Sequence, residues 1–184
     1  MICKRVKLAL ISYFIVFCQS TSADIFDPVT DGAQIPFQTV GEARLRVFFF
    51  DVYDSELSTP TGAYEPGQRP VKLEITYLRA FKASSIVQQT IKEWRHLGVD
   101  PEQYERYLTA IDTLWPDLEK GDTLVFVVYN DESNEFFHNG RSLGGVNQPS
   151  FAQDFLAIWL SPNTSQAELR AQLIGEESCY ASAC

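Results

Sequence analysis

Residues 43–57 read ARLRVFFFDVYDSEL, and the layout of this run decides the fold. Read as one strand with alternate residues on opposite faces, Val47, Phe49 and Tyr53 point one way and Phe48, Phe50 and Val52 the other. Apolar side chains on both faces predict a strand covered on both sides, as a central strand is. Upstream, the strand reading extends back to Gln34 with a break near Gly41. Downstream, residues 58–70 (STPTGAYEPGQRP) hold three Pro and two Gly and form a loop.

The next strand covers 71–81, with Val71, Leu73, Ile75 and Tyr77 on one face and Lys72, Glu74 and Thr76 on the other. Ser84 or Ser85 caps a helix running to Leu97, closed by Gly98. Asp100-Pro101 opens a second helix, whose apolar side is Tyr104, Tyr107, Leu108, Ile111, Leu114 and Trp115. Residues 123–129 form a strand, and Asn139-Gly140 is the strongest hairpin turn in the chain, leading into a short strand over 142–146. Ser150 caps a helix over 151–160, and Ser165 with Glu168 makes a capping box for a last helix ending at Gly175. Strands, two helices, a hairpin group and two more helices predict an α+β fold built on a large antiparallel sheet.

Composition agrees with a single globular domain: 184 residues, 45% hydrophobic, 21% charged, with no internal repeat. Lys4, Arg5 and Lys7 precede an 11-residue apolar run, LALISYFIVFC over 8–18, and then the small polar segment 19–23. This layout predicts a signal peptide over 1–23, cut after Ala23, and a domain over 24–184 exported to the bacterial periplasm. The run is too short to span a bilayer, which takes about 20 apolar residues. Without the leader, the formal charge of −9 becomes 12 basic against 24 acidic residues. So acidic a chain argues against nucleic acid or an anionic membrane surface as partner. Cys179 and Cys184 would be the remaining cysteines, and an oxidising compartment predicts that they form a structural disulfide tying down the tail.

Few motifs carry chemistry. Gly140-Arg141-Ser142-Leu143-Gly144 matches a hydrolase elbow, but no helix can start at Gly145-Val146-Asn147-Gln148-Pro149 and no His follows the Ser. Glu93-x-x-His96 is half of a bundle metal motif without its second copy, and with two His in the chain no metal site or cofactor is implied. Strand alternation places Asp51 opposite Asp54 and Glu56, which predicts no shared carboxylate site. Arg44, Arg46 and Arg79 lie in strand runs among Phe48, Tyr53, Tyr77 and Phe81. They either hold the carboxylate of an amphiphile beside an apolar cleft or pair with Asp51, Glu42 or Glu74 at the sheet surface, the commoner arrangement. The candidate ligand-binding set is Arg44, Phe48, Tyr53, Tyr77 and Arg79.

Val40-Gly41-Glu42-Ala43-Arg44 leading into Phe48-Phe49-Phe50-Asp51-Val52-Tyr53, then Leu73-Glu74-Ile75-Thr76-Tyr77-Leu78-Arg79, resembles the bacterial chalcone isomerase-like proteins. Phe137-His138-Asn139-Gly140 and Phe155-Leu156-Ala157-Ile158-Trp159-Leu160 continue the likeness, which spans about Gly41 to Gly175. The resemblance implies an open-faced β-sandwich: a large antiparallel sheet, a helical layer on one face, and a ligand cleft between them. It implies two activities. Plant members close a chalcone ring with an Arg, a Thr, a Tyr and an Asn; other members bind fatty acids without catalysis, using an Arg and a Tyr. Arg44 is nearest the Arg position, while the Thr falls near Phe48, the Tyr near Ile86 and the Asn near Glu93. Ile cannot donate a hydrogen bond to a developing oxyanion. The likeness therefore points to an exported, non-catalytic protein that holds a fatty acid or other apolar small molecule. The alternatives are an isomerase acting on a hydrophobic enone and an envelope interaction module with a filled core.

Overall fold

A computed structural model describes residues 29–30 and 33–176, with side chains described from residue 35. The predicted leader 1–23 and the pair Cys179 and Cys184 lie outside the described residues. Two short strands, β1 (Val29–Thr30) and β2 (Ala33–Gln34), form a ribbon ahead of the main sheet. That sheet has six antiparallel strands in simple sequence order: β3 (Gln38–Val47), β4 (Phe50–Thr59), β5 (Val71–Tyr77), β6 (Thr123–Val128), β7 (Asn134–His138) and β8 (Arg141–Gly144). Helices α1 (Ala83–His96) and α2 (Pro101–Leu114) separate β5 from β6, and α3 (Phe151–Leu160) and α4 (Ala167–Leu173) follow β8. The predicted α+β architecture, a large antiparallel sheet beneath a helical layer, is the observed one.

The run 43–57 is not one central strand. It breaks at Phe48-Phe49, a two-residue turn between the paired residues Val47 and Phe50, and β3 is an edge strand. Of the apolar residues that suggested burial on both sides, Val47, Phe48, Phe49 and Phe50 are instead exposed at this turn, while Tyr53 packs against the core. Periodicity missed the turn because it contains no Gly, Asn, Asp or Pro, the residues that mark hairpins. The expected break near Gly41 is a register shift within β3. Glycine is needed there for another reason: a Cβ would lie 2.1 Å from the carbonyl oxygen of Gln172, because the end of α4 presses on this edge.

Other boundaries shift modestly. The N-cap of α1 is Lys82, ahead of the serines. Asp100 caps α2 as expected, its carboxylate accepting from the Glu102 N–H at 2.7 Å. Ser150 precedes α3 with φ +64° and no side-chain cap, while Ser165 donates to Glu93 at 2.7 Å instead of capping α4. Asn139-Gly140 forms the expected turn with both residues at positive φ.

The core lies between one face of the sheet and the helices. Leu57, Leu73, Ile75, Phe126 and Phe136 from the strands meet Trp94, Tyr107, Ile111, Phe151 and Phe155 from the helices. Phe126 is the hub, its ring centroid 4.5 Å from Phe136 and 4.8 Å from Phe155. Each such buried ring contributes about 1.5–3 kcal/mol of transfer free energy. A polar node locks three helices together: the Asp154 side chain accepts from Gln103 at 2.6 Å and Tyr107 at 2.8 Å, and its carbonyl accepts from Trp94 Nε1 at 3.1 Å. The opposite face of the sheet carries a smaller cluster, Val125, Val127 and Phe137 under Phe37 and Tyr129. Among the described residues, no helix is long and apolar enough to cross a membrane.

Candidate functional site

Tyr53 and Tyr77 are register partners on β4 and β5, so strand alternation turns both toward the helical layer. Their rings meet edge to face with centroids 6.1 Å apart, and Tyr77 meets Phe81 in the same way at 5.7 Å. Opposite them, α3 supplies Phe155 and Trp159, which at i and i+4 share one face of the helix and lie 5.2 Å apart. Trp159 Nε1 donates to the Tyr53 hydroxyl oxygen at 3.1 Å. Trp115, at the end of α2, continues the aromatic wall 5.7 Å from Phe155.

This wall has donors without acceptors. The Tyr77 hydroxyl makes no hydrogen bond among the described residues, although the residue is only 6% exposed. Tyr53 accepts from Trp159, but its own O–H reaches no acceptor there. Trp115 Nε1 is buried and has no partner among the described residues. A buried unsatisfied donor such as Trp115 Nε1 costs about 1–3 kcal/mol and calls for an explanation such as a bound molecule. Burial pushes the Tyr53 phenol up to about 12, partly opposed by the Trp159 hydrogen bond, and raises the Tyr77 phenol further. Both therefore stay protonated near neutral pH and act only as donors to an acceptor, not as proton-abstracting phenolates.

The five residues singled out from the sequence do not converge. Tyr53 and Tyr77 form the pair just described. Arg44 lies on the outer face of the sheet, its Nε and Nη2 donating to Asp54 at 2.5 and 2.8 Å and its Nη1 to Asp51 at 3.4 Å. Surface pairing with Asp51 is thus realised, and Asp54 takes the place of Glu42 or Glu74. Arg46 donates to Asp51 at 2.7 Å. A register shift between Leu45 and Arg46 brings Asp51 and Asp54 onto one guanidinium, contrary to simple alternation. The Arg46 and Arg44 hydrogen bonds and charges hold the Asp51 carboxyl below its ordinary range. Phe48 stands exposed at the hairpin tip, and the Arg79 guanidinium covers the Phe50 ring at 4.6 Å.

The positions implied by resemblance are also spread out. Ile86 packs against the core from α1, while Glu93 accepts from Gln89 at 2.6 Å and from Ser165. Open clefts lie away from the aromatic wall. One of about 440 Å³ on the outer face is lined by Glu42, Arg44, Asp54, Glu56, Glu74 and Thr76. Another, of about 780 Å³, runs from Asp131 to Gln153 at the loop end of the sheet. Ser142 donates to Glu135 and lies in β8 with no helix behind it, as the elbow argument expected. His96 hydrogen-bonds the Asn163 carbonyl, and among the described residues no three His, Cys, Asp or Glu side chains gather to hold a metal.

Sequence reasoning missed Trp159 and Phe155 as partners of the tyrosines. Their i, i+4 spacing was visible, but seven of the ten residues of α3 are buried, so periodicity could not say which face meets Tyr53.

The element order, the single meandering sheet and the one-sided helical layer fit one family, and a family model described as chalcone isomerase-like matches residues 30–175. The chain belongs to the chalcone isomerase-like family. An uncharacterized protein of Haemophilus influenzae is 28% identical over 140 residues, covering 76% of this chain and 69% of the relative. The crystal structure of an Arabidopsis thaliana fatty-acid binding protein superposes with a TM-score of 0.57 over 79% of this chain and 88% of that one, at 10% identity. At that identity the likeness establishes the chalcone isomerase-like fold.

Proposed function

We propose that this chalcone isomerase-like protein binds, without chemical transformation, an apolar ligand carrying an oxygen acceptor head group, a fatty acid or similar amphiphile. The observation that carries the reading is the pair of tyrosine hydroxyl protons without acceptors inside the aromatic wall of Tyr77, Phe81, Trp159 and Phe155. Two O–H donors on neighbouring strands among aromatic rings suit a carboxyl oxygen, and the rings suit an acyl chain. The fatty-acid binding protein that shares the fold supports this choice of ligand class. Against ring closure stand Phe48, Ile86 and Glu93, near which the resemblance sets the Thr, Tyr and Asn of the plant enzymes; Phe48 is out at the hairpin tip. Arg44 is held by two carboxylates on the other face of the sheet, so the tyrosines take the head-group role in this reading.

The proposal extends to export. The basic head, the apolar run 8–18 and the small residues ending at Ala23 support a leader cut there, and a periplasmic carrier would keep an insoluble amphiphile in solution.

Native mass spectrometry of the protein recovered from its own compartment tests the reading. It predicts a mature mass beginning at Asp24 and an enriched apolar adduct, or one-to-one uptake of added palmitate. A chain that carries nothing and takes up no added fatty acid would refute the binding claim; an intact leader would refute export.

A further inference from the structure

The exposed large apolar side chains among the described residues are contiguous: Val47, Phe48, Phe49 and Phe50, exposed by 45%, 87%, 95% and 58%. They form the tip of the β3–β4 hairpin. Their position is costly twice over. Phe48 holds φ +54° at the first central position of a two-residue turn, where glycine is the usual residue. Three large rings also stand largely in water, and among the described residues the one ring contact they make is with the Arg79 guanidinium on Phe50. A glycine at this position would carry the same φ at no steric cost.

We propose that Phe48, Phe49 and Phe50 form a membrane-docking tip that inserts into a neutral or zwitterionic lipid surface. Shape and charge select this occupant. The tip is convex and narrow, and its three rings bury at most about 750 Å² if fully covered. At the exposures above, however, the rings offer only about 350–600 Å² to a partner, short of the about 800 Å² that a specific dimer takes from each side, so two tips meeting do not supply one. Directly behind the rings, Arg44 and Arg46 are matched by Asp51 and Asp54, which leaves a neutral collar that neither needs nor repels lipid charge. Arg79 has no carboxylate partner among the described residues. Lying on the Phe50 ring, it is placed to meet the phosphate of a zwitterionic head group while the rings enter the acyl boundary. Tyr53 follows Phe50 by three residues, about 10 Å along β4. The tip thus sets the tyrosine pair close to the lipid from which an insoluble ligand is drawn; that last step rests on the ligand reading above.

A local reporter tests the proposal in the protein as recovered from its cells. Phe49→Trp, with the signal of the three native tryptophans subtracted, should shift to the blue on adding phosphatidylcholine vesicles and be quenched by acyl-brominated lipid. Phe49→Ser should float with those vesicles about tenfold less well than the parent, with an unchanged urea midpoint. Raising the salt should leave the parent's flotation unchanged. No blue shift, equal flotation of Phe49→Ser, or salt-sensitive flotation would overturn the proposal. So would a lipid-free dimer in sedimentation velocity that Phe49→Ser abolishes, which assigns the tip to a second copy. Palmitate affinity in lipid-free solution separates the two readings. Insertion without palmitate binding keeps the docking tip and removes the ligand, and palmitate binding without insertion does the reverse.

Discussion

The rings of Tyr53 and Tyr77 meet edge to face across neighbouring strands, one hydroxyl oxygen accepting from Trp159 and the other without a partner among the described residues. The two phenols should therefore respond differently to losing their oxygen. Tyr53→Phe leaves Trp159 Nε1 a buried donor without an acceptor and should lower stability by about 1–3 kcal/mol. Tyr77→Phe breaks no protein hydrogen bond and should change stability by less than about 0.5 kcal/mol. Urea denaturation of both variants checks the contrast; equal losses would show that Tyr77 is engaged after all.

Alkali should find the same residues. Burial raises the Tyr53 phenol to about 12, and Tyr77 and Tyr107 are likewise raised by burial. In the unfolded chain these phenols ionise near their ordinary value of about 10. Their stabilising contribution is complete below that pH and drains away as pH rises from about 10 towards 12. Absorbance at 295 nm should show phenolate from these residues appearing together with loss of the near-ultraviolet circular dichroism. Full ionisation of all tyrosines by pH 10.5 in a folded chain would contradict the burial.

At the opposite end of the pH scale, Asp122 is the sensitive group. It accepts from the Asn139 amide at 2.9 Å, the Glu119 N–H at 2.8 Å and His138 at 3.1 Å, and these hold its carboxyl down at about 2. A depressed carboxyl stabilises the fold above its unfolded value of about 4 and loses that contribution as pH falls from there towards 2. Asp122→Asn should flatten the loss of melting temperature over that window. A variant that retains the parent's acid profile would place the acid sensitivity elsewhere.

Gly41 offers a test of packing. An added Cβ would lie 2.1 Å from the Gln172 carbonyl oxygen and 2.8 Å from that of Leu173, both backbone atoms that cannot swing aside. Gly41→Ala should cost about 2 kcal/mol or more by lifting α4 from β3. Calorimetry of the variant reads this directly, and an unchanged melting temperature would mean that α4 does not press on the edge.

Element types and order were legible because α1 and α2 show helical periodicity, Asp100-Pro101 announces a start and Asn139-Gly140 announces a turn. The β3–β4 hairpin was hidden because two phenylalanines occupy a turn that local backbone preference reserves for small residues. That violation reads as a surface selected for something other than folding, and it is where the docking proposal arises. Of the site, Tyr53 and Tyr77 were legible through strand alternation. Arg44 was drawn into the same set because sequence spacing does not reveal the register shift at Leu45/Arg46 that turns Asp51 and Asp54 onto it. Trp159 stayed invisible because its partner lies 106 residues away in the chain.

The central claim is that the unpartnered tyrosine hydroxyls receive the head group of an apolar ligand. Calorimetric titration of palmitate into the parent and into Tyr77→Phe tests it most directly. The account predicts one fatty acid per chain for the parent and about tenfold weaker binding for Tyr77→Phe, the share of one hydrogen bond to a carboxyl group. No binding to the parent, or equal affinity of the two proteins, would contradict it.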